Sequence, residues 1–238
     1  MTARIERVVT EGVVDVDGVE HKVENNTWIV GDDEEVIVID PARDAEKILE
    51  KVGDREVLAV ICTHGLPDHV GAAIEMAARD EAVVALHPKD RPLWRLTWPD
   101  TWPDIDMEDE GVFGVADAEL EVMSTPGISQ GGVSLYCEAL DAVFTGKTLQ
   151  ADGPGKIGGE YPALADQLTA IGGRLFTLRH STRVLPAHGE ETTIGALEPQ
   201  FDAWLSGSLT RGEVTEKAET PLSDGTRAAK INLKLLDE

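Results

Sequence analysis

Short apolar runs separated by polar turns organise the first half of the chain. Alternating apolar residues on both sides of Asp17-Gly18 predict a β-hairpin with strands over residues 5–15 and 19–23. A helix with one apolar face is predicted over 45–52, and another over 70–79. Further apolar runs predict strands at 25–31, 35–41, 57–62 and 82–87. Strands that alternate with helices predict an α/β fold built in layers.

The second half repeats this pattern. It predicts strands at 120–124, 133–137, 142–144 and 183–185, with helices at 164–175 and 196–206. The tail, 207–238, is polar except for an apolar patch from Ile231 to Leu236, which predicts a last helix. Because no linker composition separates the halves, we expect a single domain over 1–238, with 206–238 as a C-terminal extension.

The segment 88–118 has no regular period and is predicted to be irregular. Trp94, Trp98 and Trp102 recur every fourth residue there, while Pro99 and Pro103 interrupt any long helix. The tryptophans fit local packing of a loop, or alternatively an apolar wall of a substrate cleft. The Gly-rich segment 150–162 is predicted to be a loop beside the same cleft.

Composition narrows the possible partners. The 238 residues are 42% hydrophobic, enough for a sizeable core, and their formal net charge is −24. Such an acidic chain disfavours binding to nucleic acid and to anionic membranes, so we expect a small-molecule substrate; the oligomeric state stays open. Without a signal-peptide core or an 18-residue apolar run, a cytoplasmic location is expected. Cys62 and Cys137 are interpreted as core thiols.

Four predicted strands end in short polar loops that contain Gly or Pro. These loops are 63–69, 124–131, 145–148 and 186–193. In layered α/β proteins, loops at one edge of a sheet converge to form the site. We therefore expect these residues to lie near one another: His64, Asp68, His69, Ile128, Lys147 and His188.

The four loops resemble the metallo-β-lactamase superfamily, in particular its glyoxalase II-like small hydrolase branch. The family's His-x-His-x-Asp-His motif is similar to His64-Gly65-Leu66-Pro67-Asp68-His69. Its later turns, Thr-Pro-Gly-His, Thr-Gly-Asp-Thr and Pro-Gly-His-Gly, are similar to three stretches here, namely Thr125-Pro126-Gly127-Ile128, Thr145-Gly146-Lys147-Thr148 and Pro186-Ala187-His188-Gly189. The resemblance covers most of 20–205 and implies a four-layer αββα sandwich with its site at one edge of two sheets.

The resemblance also implies a dinuclear metal site, from which this sequence departs. In a typical member, three histidines hold the first metal, the Asp-His pair and the last histidine hold the second, and an aspartate bridges them. Leu66 and Ile128 replace two of the three histidines, and Lys147 replaces the bridging aspartate. Two positive charges about 4 Å apart at an effective dielectric near 20 repel by about 4 kcal/mol. We therefore favour no metal, with one zinc held by Asp68, His69 and His188 as the alternative.

Lys147 is the centre of the favoured functional hypothesis. Apolar surroundings favour a neutral amine, which attacks carbonyls and forms Schiff bases. Proton transfer is assigned to Asp68, His64, His69, His188 and Tyr161. The expected pocket residues are Leu66, Ile128, Ser129, Gln130, Trp94 and Trp98. The simpler alternative is that the Lys147 ammonium pairs with Asp68 and replaces the missing cation.

Three functions remain open from the sequence. A metal-independent, lysine-dependent lyase or aldolase-type enzyme is favoured. The alternatives are a mononuclear zinc hydrolase of thioesters, lactones or esters, and a non-catalytic small-molecule binding protein. The substitutions cluster at ligand positions while the turns are kept. This fits a natural member recruited to metal-free chemistry or a deliberately rebuilt scaffold, and the second is slightly preferred.

Overall fold

The computed structural model of the chain describes residues 2–16, 19–157, 162–206 and 229–230. The strands are β1 (Arg4–Val16), β2 (Val19–Gly31), β3 (Glu35–Ile39), β4 (Glu56–Ile61), β5 (Val83–Leu86), β6 (Ile105–Asp106), β7 (Val112–Val115), β8 (Ala118–Ser124), β9 (Val133–Cys137), β10 (Ala142–Gly146), β11 (Leu149–Gln150), β12 (Gly153–Pro154), β13 (Arg183–Pro186), β14 (Thr192–Thr193) and β15 (Ala229–Lys230). The α-helices are α1 (Ala45–Val52), α2 (Pro67–Val70), α3 (Ala73–Ala78), α4 (Arg91–Trp94), α5 (Leu164–Gly173), α6 (Ile194–Leu197) and α7 (Phe201–Leu205).

Two mixed sheets form the centre of the fold. The first has the strand order β15-β1-β2-β3-β4-β5-β6, and the second has the order β14-β13-β10-β9-β8-β7. In the first sheet β3, β4 and β5 run parallel, and in the second β10 and β13 do. Parallel neighbours place their carboxyl ends at the same sheet edge, so the loops after these strands meet there.

Alternation along the strands builds the layers. Ile37 and Ile39 face the second sheet, and their neighbours Val36 and Val38 face the helices. Between the sheets, Trp28 packs edge-on against Phe144 at a centroid distance of 6.1 Å. Helices α1 and α3 cover the outer face of the first sheet, and α5, α6 and α7 cover that of the second. This is the expected αββα sandwich of metallo-β-lactamase type.

Most predicted elements are present with shifted ends. Helix α1 and strand β9 have the predicted bounds. The hairpin is also confirmed, since β1 and β2 pair antiparallel from Arg4↔Gly31 to Val16↔Val19. The stretch predicted as a separate strand over 25–31 is the continuation of β2. Within the part of the chain that is described, no helix is long and apolar enough to span a membrane.

Four predictions need correction or fall elsewhere. The helix predicted over 196–206 is α6 and α7, separated by a 3-10 turn over Glu198–Gln200. The helix predicted over 70–79 is two short helices, because Pro67 starts α2 at its first position and the chain turns at Gly71 before α3. The segment predicted as irregular, 88–118, contains α4, β6 and β7. The helix expected over Ile231 to Leu236 lies outside the described residues, whereas the pair 229–230 forms β15 beside β1.

The two sheets are joined directly at the edge that carries the polar loops. The amide of Val133 donates to the Thr63 carbonyl at 2.9 Å, and the Asn26 amide donates to the Ala187 carbonyl at 2.7 Å. Gly146 has φ of +52°, and a Cβ there would lie 2.2 Å from Thr63 Oγ1. Only glycine tolerates both the backbone angle and this close approach, so the loop 145–148 can lie directly against the loop 63–69.

Candidate functional site

Polar or charged side chains follow four strands at this shared edge. Asp40 follows β3, His64 follows β4, and Lys147 and His188 follow β10 and β13. Ile128 lies in the loop after β8. The loops therefore converge as the sequence predicts, although Asp40 was not among the residues predicted from the sequence.

The centre of the site is a triangle of three donor atoms. His69 Nε2 lies 3.1 Å from His188 Nε2. Asp68 Oδ2 lies 3.6 Å from the first nitrogen and 3.8 Å from the second. Asp68 and His69 belong to the short helix α2, so they face His188 from a defined helical turn rather than from a flexible loop. His69 is fully buried, and His188 is partly exposed at the mouth of the site.

A backbone carbonyl and a side-chain amide of β2 fix two corners of the triangle. His188 Nδ1 lies 2.9 Å from the Glu24 carbonyl, and a carbonyl only accepts, so we assign the proton to Nδ1 and the lone pair to Nε2. Beside it, Asn25 Nδ2 donates to the Asp68 carbonyl at 2.8 Å. A ligand histidine held by a carbonyl through its other nitrogen is typical of metal sites.

The tautomer of His69 follows from Asp40. Asp40 is buried and accepts from the Thr63 amide and from Thr63 Oγ1, both at 2.7 Å. Its Oδ2 lies 3.5 Å from His69 Nδ1, which has no hydrogen-bond partner in the described part of the chain. That contact is attractive only if Nδ1 carries the proton. The lone pairs on the two Nε2 atoms then face each other at 3.1 Å, an arrangement that a cation between them would stabilise.

Both imidazoles are neutral at neutral pH. Burial, together with the charges of Lys147 and Arg43, lowers the pKa of His69 to about 3, despite the opposing effect of Asp68. Burial and the charges of Lys147 and His69 lower the pKa of His188 to about 3. Metal ligands must be deprotonated, so these histidines are in the form that binds a metal.

Lys147 forms an ion pair with Asp68, the third corner of the triangle. Its Nζ lies 3.1 Å from Asp68 Oδ2. Burial raises the pKa of Asp68, but positive charge nearby overcomes it and holds the pKa well below the usual value. At neutral pH, where both histidines are uncharged, Lys147 supplies that charge. The predicted ion pair is therefore present. It requires the ammonium form, which has no lone pair for attack on a carbonyl.

His64 lies behind the triangle. Its Nδ1 is 2.9 Å from Thr63 Oγ1, which itself donates to Asp40. Its ring contacts that of His69 in a tilted arrangement, with a centroid distance of 3.9 Å and an interplanar angle of 53°. Burial lowers the pKa of His64 well below the usual value. His64 Nε2 is buried without a partner among the described residues. Asp40, His64 and His69 thus form a second, wholly buried group of possible ligands.

Apolar side chains occupy the positions where the family pattern has the other histidines. Leu66 and Ile128 are 1% and 2% exposed, and they form one cluster with Ile157 and Leu93. Aliphatic side chains cannot coordinate a metal, so His64 is the one ligand that this half of the site retains.

A buried carboxylate, Asp90, ties the surrounding loops together. Its Oδ2 accepts from the Gly65 amide at 2.9 Å and from Ser129 Oγ at 2.6 Å, and its Oδ1 accepts from the Gly131 amide at 2.7 Å. Burial raises the pKa of Asp90 even though these hydrogen bonds oppose it. Ser129, predicted to line the pocket, is buried as one of these donors. Sequence reasoning missed Asp90, although it follows β5 in the same way as the other site residues follow their strands.

The expected tryptophan wall is wrong. Trp94 is fully buried in the cluster between the first sheet and its helices, and its Nε1 donates to the Thr101 carbonyl. Trp98 packs against the same cluster and donates to the Val70 carbonyl at 2.9 Å. Trp94 is therefore a core residue, and Trp98 is a partly buried residue packed against that core. Gln130 is exposed, and Tyr161 lies outside the described residues.

Comparison with protein-family models matches residues 22–188 to the metallo-β-lactamase superfamily. The chain belongs to that superfamily. It is 29% identical over 202 residues to a probable metallo-hydrolase, YqgX, of Bacillus subtilis, covering 78% of this chain and 94% of the relative. It is 26% identical over 191 residues to the hydroxyacylglutathione hydrolase GloC of Haemophilus influenzae, covering 72% and 89%.

A solved structure extends the comparison. The protein TTHA1623, crystallised in a di-iron-bound form, is 29% identical and has a TM-score of 0.64, covering 73% of this chain and 92% of that one. The fold and hydrolase family are therefore clear. Neither the relatives nor the structure support a rebuilt scaffold or a lysine-dependent lyase.

The donor set of this member of the superfamily fits one metal ion and not two. Ligands about 2.0–2.1 Å from a tetrahedral metal lie roughly 3.3 Å from one another. The triangle edges of 3.1, 3.6 and 3.8 Å are close to that value. Asp68 Oδ1 is also buried and without a partner among the described residues. In the other half of the family's site, Leu66 and Ile128 stand at two of the three histidine positions, and aliphatic side chains cannot coordinate a metal; the remaining group, Asp40 and His64, would have to share His69 with the triangle.

Proposed function

We propose that this protein is a hydrolase that binds one divalent metal ion through Asp68, His69 and His188 and cleaves an ester or thioester. The observation that carries the proposal is the convergence of three neutral or anionic donor atoms, 3.1–3.8 Å apart, on one point. When bound, the metal supplies a Lewis acid and a water of lowered pKa.

The residues around the triangle keep its donors in place. Glu24 fixes the ring of His188 through Nδ1, and Asp40 favours the proton on Nδ1 of His69. Asn25 holds the backbone of Asp68. Outer contacts of this kind fix ring orientation and tautomer, and losing one costs about 10- to 100-fold in metal affinity.

Lys147 is proposed to act as a second positive charge beside the donor triangle. A carboxylate has two oxygens, and Asp68 Oδ1 has no partner in the described chain. Lys147 can therefore stay near Asp68 when Oδ2 serves as a ligand. Its ammonium then stabilises the negative charge that develops on the carbonyl oxygen of the substrate.

The substrate class is proposed from chemistry and similarity together. The Haemophilus relative is named a hydroxyacylglutathione hydrolase, which acts on a thioester, and the Bacillus relative is named a probable metallo-hydrolase. A hydroxyacylglutathione thioester is therefore the first substrate to test.

The test combines metal content with turnover. Protein purified without chelator is expected to take up one equivalent of zinc, manganese or iron, and to hydrolyse the thioester only when loaded. The His69→Ala variant should lose both properties. The control is His180→Ala, at a residue that is 76% exposed and pairs with Glu198.

Two outcomes would contradict the proposal. Hydrolysis that is unchanged by chelation would mean that the reaction does not use a metal. Borohydride trapping of a carbonyl substrate on Lys147 would then identify Lys147 as the nucleophile. Absence of both metal uptake and turnover would favour a small-molecule binding protein.

A further inference from the structure

Arg43 lies in the loop between β3 and α1, and its side chain crosses the surface of β1 at Gly12. A Cβ on Gly12 would lie 1.3 Å from Arg43 Nη1 and 2.3 Å from Arg43 Cζ. The guanidinium therefore rests directly on the backbone of Gly12, and glycine at this position leaves the space for it. Arg43 is half-buried there.

The charge of Arg43 is not neutralised within the described structure. Of the ten arginines whose side chains are described, eight pair with a carboxylate: Arg4, Arg7, Arg55, Arg79, Arg91, Arg174, Arg179 and Arg183. Arg95 lies over the ring of Trp102 at 5.8 Å. Arg43 has neither kind of partner among the described residues, in a chain with 45 acidic residues. A half-buried charge without a partner is unfavourable for folding, so a role in binding is a reasonable explanation.

Two observations place this guanidinium beside the donor triangle. Gly12 pairs with Val23, the neighbour of the Glu24 carbonyl that holds His188. Burial lowers the pKa of Arg43, and the negative charge of Asp68 partly opposes that effect. The loop that carries Arg43 also contacts the end of α2, since the Ala72 amide donates to the Pro41 carbonyl at 3.0 Å.

We propose that Arg43 binds a carboxylate on the substrate and makes the site selective for anionic acyl compounds. The inference rests on the proposed hydrolase function, because it places the anion next to the bond that Asp68, His69 and His188 act on. A guanidinium presents a planar fork of N–H donors that matches a carboxylate in a bidentate pair.

The overall charge of the protein makes such a residue useful. With a net charge of −24, the surface repels anions at long range. Lys147 is paired with Asp68 and is proposed to act on the reacting carbonyl, so a carboxylate elsewhere on the substrate needs another cation. Arg43 supplies a charge that no carboxylate of the described residues pairs with in a salt bridge, and this local field favours an anionic group beside it.

The experiment measures binding, so that it does not depend on turnover. The probes are N-methylsuccinamate, which carries a carboxylate, and N-methylbutyramide, a neutral compound of the same chain length. Dissociation constants are measured by calorimetry or NMR titration on metal-free and zinc-loaded protein at low ionic strength. The variants are Arg43→Gln, Arg43→Lys and Gly12→Ala, with Arg95→Gln as the matched control.

The anionic probe is expected to bind wild-type protein more tightly than the neutral one, by about tenfold to a hundredfold. Arg43→Gln should remove this preference, Arg43→Lys should keep part of it, and Arg95→Gln should leave it unchanged. Gly12→Ala should weaken it by displacing the guanidinium. Equal binding of the two probes to wild-type protein, or an unchanged preference in Arg43→Gln, would overturn the inference.

The probe-binding and metal-binding measurements test the two proposals independently. If zinc does not bind but the Arg43-dependent preference persists, the proposed hydrolase fails while Arg43 remains an anion-binding residue. If zinc binds and the thioester is hydrolysed without any such preference, the hydrolase stands and the role of Arg43 is wrong.

Discussion

Lys147 Nζ lies 3.1 Å from Asp68 Oδ2, the same oxygen that faces the imidazoles of His69 and His188. An ammonium and a metal ion therefore compete for one carboxylate oxygen. Asp68 is 4% exposed, so solvent cannot neutralise it when neither cation is present. The lysine thus stabilises the metal-free protein and at the same time weakens metal binding.

Replacing Lys147 with Met is expected to increase zinc affinity. Removing a positive charge about 4 Å from the ion relieves roughly 4 kcal/mol of repulsion at an effective dielectric near 20, so an increase of about 10- to 1000-fold is expected. In chelator, the same variant should lose about 3 kcal/mol of stability, because Asp68 is left buried without a partner. Competition with a chelating dye and urea unfolding measure the two effects.

The matched control is Lys47→Met, on the exposed face of α1. It removes an equal charge far from the donor triangle. Zinc affinity that is the same in Lys147→Met and wild type would mean that the ammonium does not compete for Asp68.

The two groups of possible ligands predict different effects of two single substitutions. If the metal binds at Asp68, His69 and His188, His64→Ala should retain one equivalent. His188→Ala should lower the affinity by more than about 100-fold, which exceeds the usual effect of losing an outer contact, whereas the buried group does not contain His188. Metal analysis after dialysis tests this. Loss of metal in His64→Ala would instead favour the buried group with Asp40.

Acid should unfold the metal-free protein from an unusually high pH. His69 has a pKa of about 3 in the fold, whereas an unfolded histidine has one near 6.5. Between these values the unfolded state binds the extra proton, so stability falls as pH falls. The expected slope from His69 alone is about 1.4 kcal/mol per pH unit. The pKa of Asp68 is also lowered in the fold, so protonation of Asp68 causes a further loss of stability as pH falls below about 3.9.

Urea unfolding in chelator at several pH values between 4 and 7 measures this slope. The His69→Gln variant removes the titrating group and keeps a polar side chain. Its slope should be smaller by about 1.4 kcal/mol per pH unit. Equal slopes in wild type and variant would show that His69 is protonated in the folded protein.

Restoring the missing ligands should restore a second metal. The triple variant Leu66→His, Ile128→His, Lys147→Asp returns two imidazoles and the bridging carboxylate, and His64 is already in place. It is expected to bind two equivalents of zinc or iron, because the backbone of all four loops is retained. The single variant Leu66→His, which adds one ligand beside Ile128, should bind no more than wild type. A folded triple variant with one equivalent would contradict the assignment of the positions.

The framework of the site could be predicted because strand ends are visible in the pattern. His64, Asp68, Lys147 and His188 each follow an apolar run, and the structure brings them together. The contact between Lys147 and Asp68 was also foreseen, as the alternative to a nucleophilic lysine. The preference for the nucleophile was not supported, because the choice depends on how closely a buried carboxylate approaches the amine.

Other parts could not be derived from local sequence. Arg43 and Gly12 meet only through tertiary packing, and the donors to Asp90 come from two distant loops. The four-residue spacing of Trp94 and Trp98 does not reveal which side of the segment faces the core. Asp40 was within reach, since it ends the run of β3, but its role depends on His69, which is distant in sequence.

The hydrogen bonds of Asp90 give the site two halves with different mechanical properties. On one side, protein atoms alone join the loops at Gly65 and Gly131, and Leu66 packs against Ile128. On the other side, α2 and the loop of His188 face each other only through the donor triangle, and each is held separately to β2, by Asn25 and by Glu24. Stripping the metal should therefore loosen only the second side. Amide hydrogens of Gly65 and Gly131 should exchange slowly with or without metal, whereas those near His188 should exchange faster after chelation.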